Sequence, residues 1–176
     1  MGWHGKLLRV NLTAGTCTPE DLNMEWAQAY LGQRGLGSKY LSTEVDPKVE
    51  PMSPENKLII ATGPLTGTAA PTGGRWSAIT KGALTGAIAC SNSGGQFGGE
   101  LKMAGWDLLI LEGRAAKPVY LYIENDKATL QPADDLWGQS IWDLEPAIKN
   151  AHSDPLIRIA SIGPAGENGC RYACIV

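Results

Sequence analysis

Arg75 and the glycines around it are the residues whose type and spacing could bind a charged ligand. Ten of the chain's 22 glycines fall between Gly63 and Gly99, a span that contains Arg75 and Lys81 and no acidic residue. It therefore carries +2 in a chain whose net charge is −3. Glycine lets backbone N–H groups come close to a ligand and tolerates φ > 0, so a glycine-dense, locally basic segment can cradle an anion. The same cluster would equally serve as a set of tight turns in a β-rich core. Asn92-Ser93 could cap a short helix running through Gly94-Gly95-Gln96-Phe97 to Met103, with its free N–H groups aimed at whatever the loop holds.

Composition narrows the possible partners. A chain of 176 residues, 43% hydrophobic and 19% charged, suits one soluble domain with its own core. Its scattered lysines and arginines form no basic face, which argues against nucleic acid. The longest apolar runs, Leu108-Leu109-Ile110-Leu111 and Leu58-Ile59-Ile60-Ala61, have strand length and fall far short of a membrane span. The N-terminus shows no apolar signal segment, so a cytoplasmic protein is expected. Cys17, Cys90, Cys170 and Cys174 show no Cys-x-x-Cys spacing. If the last pair lie on a strand, four residues span about 13 Å and the two thiols cannot share a metal. All four are expected to be buried, reduced and structural.

These residues must be positioned by the rest of the chain. Lys6 to Leu12 alternates as a strand and returns through the turn Thr13-Ala14-Gly15-Thr16 to Cys17-Thr18. Helical spacing predicts helices over Met24 to Leu31 and from about Leu36 to Glu44. Between them, Gly32-Gln33-Arg34-Gly35-Leu36-Gly37 has part of a dinucleotide fingerprint, but Tyr40 stands where the third glycine is needed and no strand precedes it. A proline-punctuated loop, Asp46 to Pro54, leads into a strand at Lys57 to Thr62. Further strands are predicted at Arg75 to Thr80, Gly86 to Ala89, Trp106 to Leu111, Val119 to Ile123 and Ala128 to Leu130. A helix over Ser140 to Asn150 should be interrupted at Pro146. Strands are expected again at Leu156 to Ile162 and Arg171 to Val176.

The chain also repeats itself at a separation of about 100 residues. Ile60-Ala61-Thr62-Gly63-Pro64 corresponds to Ala160-Ser161-Ile162-Gly163-Pro164, and Arg75-Trp76-Ser77-Ala78-Ile79-Thr80 to Arg171-Tyr172-Ala173-Cys174-Ile175-Val176. By this alignment the second copy stops in mid-strand, which implies an incomplete piece of a longer protein.

Several segments together carry a family resemblance: Asn56 to Gly67, Ala70-Pro71-Thr72-Gly73-Gly74-Arg75, Ala89 to Gly95 with Phe97-Gly98, and Ile162 to Asn168. With Gly5 to Asn11, Arg34-Gly35-Leu36 and Lys117 to Tyr120, they resemble the N-terminal domain of the tungsten-containing aldehyde:ferredoxin oxidoreductase family over essentially the whole chain. The resemblance implies an α+β domain, residues 1–176, of two β-sheets with an internal pseudo-twofold duplication, a few short helices and an incomplete second repeat. It implies a seat for a tungsten (or molybdenum) bis-pterin whose dithiolene sulfurs hold the metal, with a Mg²⁺ bridging the two pterin phosphates. By the same resemblance, Arg75, Gly74, Asn92, Ser93, Gly94 and Gly95 bind the cofactor, and Asn92 offers its backbone carbonyl to the Mg²⁺.

Two phosphomonoesters bring about −3 to −4 against the +2 of the segment. An oxygen-ligated Mg²⁺ closes most of that gap, and Arg75 adds a planar, bidentate grip that lysine cannot copy. The [4Fe-4S] cluster, the aldehyde channel and the ferredoxin contact implied by the resemblance belong to later domains, and homodimerisation is open for the full-length form. Gly169-Cys170 departs from the apolar pair usual in the family before Arg171. Two other readings are a stand-alone phosphopterin-binding module and a fragment with no ligand.

Overall fold

The computed structural model describes residues 2–176. Its centre is a six-stranded sheet in the order β2-β1-β6-β3-β4-β5: β1 Lys6–Asn11, β2 Thr16–Asp21, β3 Lys57–Thr62, β4 Trp76–Lys81, β5 Ile88–Ser93 and β6 Leu108–Glu112. The β1–β6 pair is parallel, with Leu7 opposite Leu108, and every other pair is antiparallel. Strands β7 (Val119–Glu124) and β8 (Lys127–Pro132) form a separate hairpin. Helices are short: α1 Met24–Tyr30, α2 Gln33–Glu44, α3 Phe97–Met103, α4 Ile141–Ala151 and α5 Pro164–Glu167. This is the expected α+β architecture of two sheets with a few helices.

The apolar runs lie in this sheet because both of its faces are covered. Successive residues point to opposite sides, so Leu7, Ile59 and Leu108 join one core with Leu36, Tyr40 and Leu41 of α2. Their neighbours Leu8, Ile60 and Leu109 join a second core with Trp76, Leu101 and Trp106, against which Leu121, Ile123 and Leu130 of the hairpin pack.

A glycine within α2 serves this packing. Helix α2 begins at Gln33, three residues before the predicted start, and lies so close to the sheet that a Cβ on Gly37 would sit 2.5 Å from Ile79 Cδ1. A helix, α1, precedes the segment where a dinucleotide fingerprint needs a strand.

The far end of α2 is fixed by charge. Arg9 bonds Glu20 (2.7 Å) and Glu44 (2.9 and 3.0 Å) and pairs with Glu112 (3.3 Å), while Lys57 reaches Glu44 (2.6 Å) and Glu112 (2.8 Å). Burial pushes the Glu44 carboxyl up, but its bonds to Arg9 and Lys57 outweigh burial and hold it below the ordinary range. Glu112 is held down in the same way, burial being outweighed first by its bond to Lys57. Because both folded-state values are depressed, their stabilisation is complete above the ordinary carboxylate value of 4.5 and is lost as pH falls through the folded values. Urea midpoints should therefore hold between about pH 6 and 8 and drop below about pH 4.5. Glu44→Gln should flatten that drop, and an unchanged acid slope in the variant would refute the assignment.

Several expectations need correction. Leu156 to Ile162 and Arg171 to Val176 form no strand: Leu156, Arg171 and Tyr172 lie in turns, and one mutual pair of backbone bonds, Ser161 with Val176 (2.9 Å each way), joins the two segments. In the first copy Ala61 stands opposite Ser77, whereas its counterpart Ser161 meets the counterpart of Thr80. The matched sequences therefore do not adopt matched pairings here. Helix α4 runs through Pro146, which lies on its exposed side. The carbonyl that loses its partner belongs to Trp142, whose side chain is 88% exposed, so water can reach that turn. The cysteines are not buried: all four are free, Cys17 and Cys90 are half-buried, and Cys170 and Cys174 are exposed.

Candidate functional site

Strand β3 leaves the core at Gly63-Pro64, and the loop from Gly63 returns at Arg75 to enter β4. Thr66 closes the base of this loop. Only 3% exposed, its Oγ1 accepts from the Gly63 N–H (2.9 Å) and donates to the Arg75 carbonyl (3.0 Å). A bond from the Gly67 N–H to the Gly73 carbonyl (2.8 Å) closes the loop higher up.

The partner segment arrives along β5, where Ser93 stands opposite Trp76 and Asn92 opposite Ser77. Continuing past these pairs brings Gly94 and Gly95 beside Gly74 and Arg75. The two backbones touch: a Cβ on Gly74 would lie 2.2 Å from the Gly95 carbonyl oxygen. Gly95 has φ +76°, and neither Gly94 nor Gly95 would bring a Cβ within 4 Å of any atom. All six residues singled out in the sequence are thus gathered at one end of the β4–β5 pair, on a sheet edge.

Their roles within that group differ. Arg75 is exposed, and its guanidinium makes no hydrogen bond or ion pair to the described residues. The Asn92 side-chain oxygen is engaged, accepting from Ser77 Oγ at 2.6 Å. Asn92 and Ser93 are strand residues, which corrects the expected helix cap; α3 starts at Phe97 behind Gln96, which makes no side-chain cap bond. Lys81 lies at the other end of β4, where Nζ donates to the Pro47 and Val49 carbonyls. Of the two cations counted in the segment, only Arg75 is therefore at the site.

The site also has a floor that sequence reasoning missed. A cavity of about 300 Å³ lies beside Arg75, lined among others by Leu31, Gln33, Pro64, Thr66 and Thr72. Gln33 Nε2 donates to the Arg75 carbonyl (3.1 Å). Of the five non-glycine residues with positive φ among those described, three line this cavity: Leu31 (64°), Gln33 (44°) and Thr72 (60°). Such conformations concentrate at binding sites. No composition signal marks Gln33, whose reach to Arg75 depends on where α2 begins.

The arrangement fits an anionic group. A free guanidinium beside a backbone turn with open Cα positions, with no carboxylate in the segment, offers charge and N–H donors together. Among the described residues, no group of three or more His, Cys, Asp or Glu side chains is placed to hold a metal ion. No helix among them is long and apolar enough to cross a membrane.

Comparison with known proteins bears on the fold and the family. Residues 7–176 match the family described as "Aldehyde ferredoxin oxidoreductase, N-terminal domain". The chain is 56% identical over 99% of its length to the tungsten-containing aldehyde ferredoxin oxidoreductase of Pyrococcus abyssi, and 54% identical to that of Pyrococcus horikoshii. It spans about 29% of the length of each of these relatives. A solved structure, the active site complex BamBC of benzoyl coenzyme A reductase with 1,5-dienoyl-CoA, superposes with a TM-score of 0.97 at 39% identity, covering 99% of this chain and 27% of that one. The glycine-rich corner around Arg75 is thus part of a shared domain, and the chain belongs to the aldehyde ferredoxin oxidoreductase family as its N-terminal domain.

Proposed function

We propose that residues 1–176 act as one cofactor-cradling domain of a longer aldehyde:ferredoxin-type oxidoreductase. That protein would oxidise an aldehyde to a carboxylic acid, with water supplying the oxygen and two electrons passing to ferredoxin in the cytoplasm. It would use a tungsten (or molybdenum) bis-pterin with a bridging Mg²⁺, and a [4Fe-4S] cluster outside this domain. The observation that carries the reading is the convergence of Gly74, Arg75, Ser93, Gly94 and Gly95 at one strand end, with an unpaired guanidinium among them.

When bound, the cofactor supplies the redox chemistry. The protein's part is to bind and orient it. Arg75 would grip a pterin phosphate in a bidentate fork, and the backbone at Gly94-Gly95 would let the phosphate approach closely. With the Asn92 side-chain oxygen held by Ser77, the backbone carbonyl is the oxygen Asn92 has left for a Mg²⁺. Because Lys81 is engaged elsewhere, Arg75 is the one cation this glycine-rich segment would bring to the phosphates, and a divalent cation would offset much of the remaining charge. The benzoyl coenzyme A reductase relative has this fold and a substrate that is not a simple aldehyde. That supports a domain that seats the cofactor and leaves substrate choice to other parts of the protein.

Arg75→Lys in the longer protein tests the reading. Losing the fork removes one charge-assisted hydrogen bond, enough to weaken binding roughly tenfold. Tungsten per polypeptide, measured by mass spectrometry, should fall. Wild-type tungsten content in the variant would reject the assignment.

A further inference from the structure

We infer that Gln33 and Thr66 are positioning residues for Arg75, acting through its backbone carbonyl to hold the guanidinium ready for an anion. The inference rests on the cofactor reading above. The Arg75 carbonyl belongs to an exposed loop residue and could be solvated by water alone. Instead it accepts two side-chain hydrogen bonds, from Thr66 Oγ1 at 3.0 Å and Gln33 Nε2 at 3.1 Å. The donors come from opposite sides: Thr66 from within the loop, Gln33 from the first turn of α2, 42 residues earlier.

Both donors are themselves fixed. Thr66 is 97% buried, and its hydroxyl is used in both directions, accepting from Gly63 and donating to Arg75. Gln33 is held at φ +44° at the start of a helix whose other end is anchored through Glu44 by Arg9 and Lys57. The peptide between Arg75 and Trp76 is therefore fixed before any ligand arrives, and with it the direction of the Arg75 Cα–Cβ bond. A flexible arginine loses side-chain entropy when it is captured, and a preset backbone lowers what remains to be ordered. Thr72, at φ +60°, lines the same cavity as Gln33 and Arg75, so a second residue in the left-handed region lies near the arginine.

The experiment uses the full-length protein purified with its cofactor, and reads pterin per polypeptide by fluorescence after oxidative release. Urea midpoints are measured in parallel. Thr66→Val removes the hydroxyl at nearly constant shape, and Gln33→Leu removes the amide. Each should lower pterin content about three- to tenfold, and Thr66→Ser should restore it. In an Arg75→Lys background the same changes should each cost less than about twofold further, because their effect passes through the arginine.

Unchanged pterin content in both single variants, or losses that are undiminished in the Arg75→Lys background, would overturn the proposal. If Arg75→Lys alone retained full pterin content, the cofactor reading itself would fall. A loss from Arg75→Lys but none from Gln33→Leu and Thr66→Val would reject only the positioning role. Should Thr66→Val not fold, Gln33→Leu, at a partly exposed position, carries the same test.

Discussion

Gly74→Ala is expected to destabilise the domain by about 1–3 kcal/mol through overpacking and to separate the two halves of the proposed cofactor seat. The new Cβ would sit 2.2 Å from the Gly95 carbonyl oxygen, a backbone atom that cannot rotate away, so one of the two segments must shift. The neighbouring glycines provide an internal scale. Gly95→Ala should cost about 1–2 kcal/mol, because φ is +76° although space is open. Gly94→Ala, with open space and no left-handed φ, should change stability by less than about 0.5 kcal/mol. Thermal or urea denaturation of the three variants checks the order Gly74, Gly95, Gly94. A Gly74→Ala protein as stable as the wild type would show that the contact is absent.

Lys102→Met should have a larger effect, about 3–5 kcal/mol. Lys102 lies in α3 at 5% exposure, and its Nζ meets Asp107 Oδ1 and donates to the Gly2 carbonyl (3.0 Å). Asp107, 1% exposed, also accepts the Gly5 N–H (2.7 Å), and its backbone carbonyl receives both the N–H (3.0 Å) and the hydroxyl (2.9 Å) of Thr62. One ion pair thus ties α3, the head of β6, the N-terminal segment and the end of β3, next to the loop that carries Arg75. Removing the ammonium would leave a buried carboxylate without its counter-charge. Neutralising that carboxylate in the double variant Lys102→Met/Asp107→Asn should recover a substantial part of the loss, since the amide oxygen can still accept from Gly5. A double variant no more stable than Lys102→Met would show that the cost was packing and not charge.

The sequence made some of this fold readable and hid the rest for physical reasons. Lys57–Thr62 has its predicted bounds and β7 nearly so, because β-branched and apolar residues bounded by turns carry their own signal. The residue types of Asn92-Ser93 favour a helix cap, yet they extend strand β5 because Ser77 and Trp76 are there to pair with them. The reverse holds at Leu156 to Ile162, whose apolar pattern suits a strand but whose only backbone-to-backbone bonds among the described residues are the mutual pair between Ser161 and Val176. Pairing is decided by a remote partner, which local pattern cannot reveal.

The same limit applies to the site. The concentration of glycines and the isolated arginine were visible, and the family resemblance named the six residues that the fold brings together. Lys81 counted as charge for the site because sequence proximity stood in for spatial proximity along a six-residue strand that carries it away. Gln33 and Lys102 were invisible because their importance lies in contacts 42 and 100 residues away, to Arg75 and Gly2.

The position of β6 has a consequence for how the protein is made. It lies between β1 and β3, pairing Leu7 with Leu108 across 101 residues of chain, so the strands bearing the seat are synthesised before the strand that completes their sheet. Until residues 108–112 leave the ribosome, β3 has β4 on one side and an open apolar edge on the other, and β1 has only β2. Parallel closure over so long a loop is entropically slow. The half of the sheet that bears the proposed seat is therefore joined to the half built on β1 only when β6, a strand remote from that seat, has arrived.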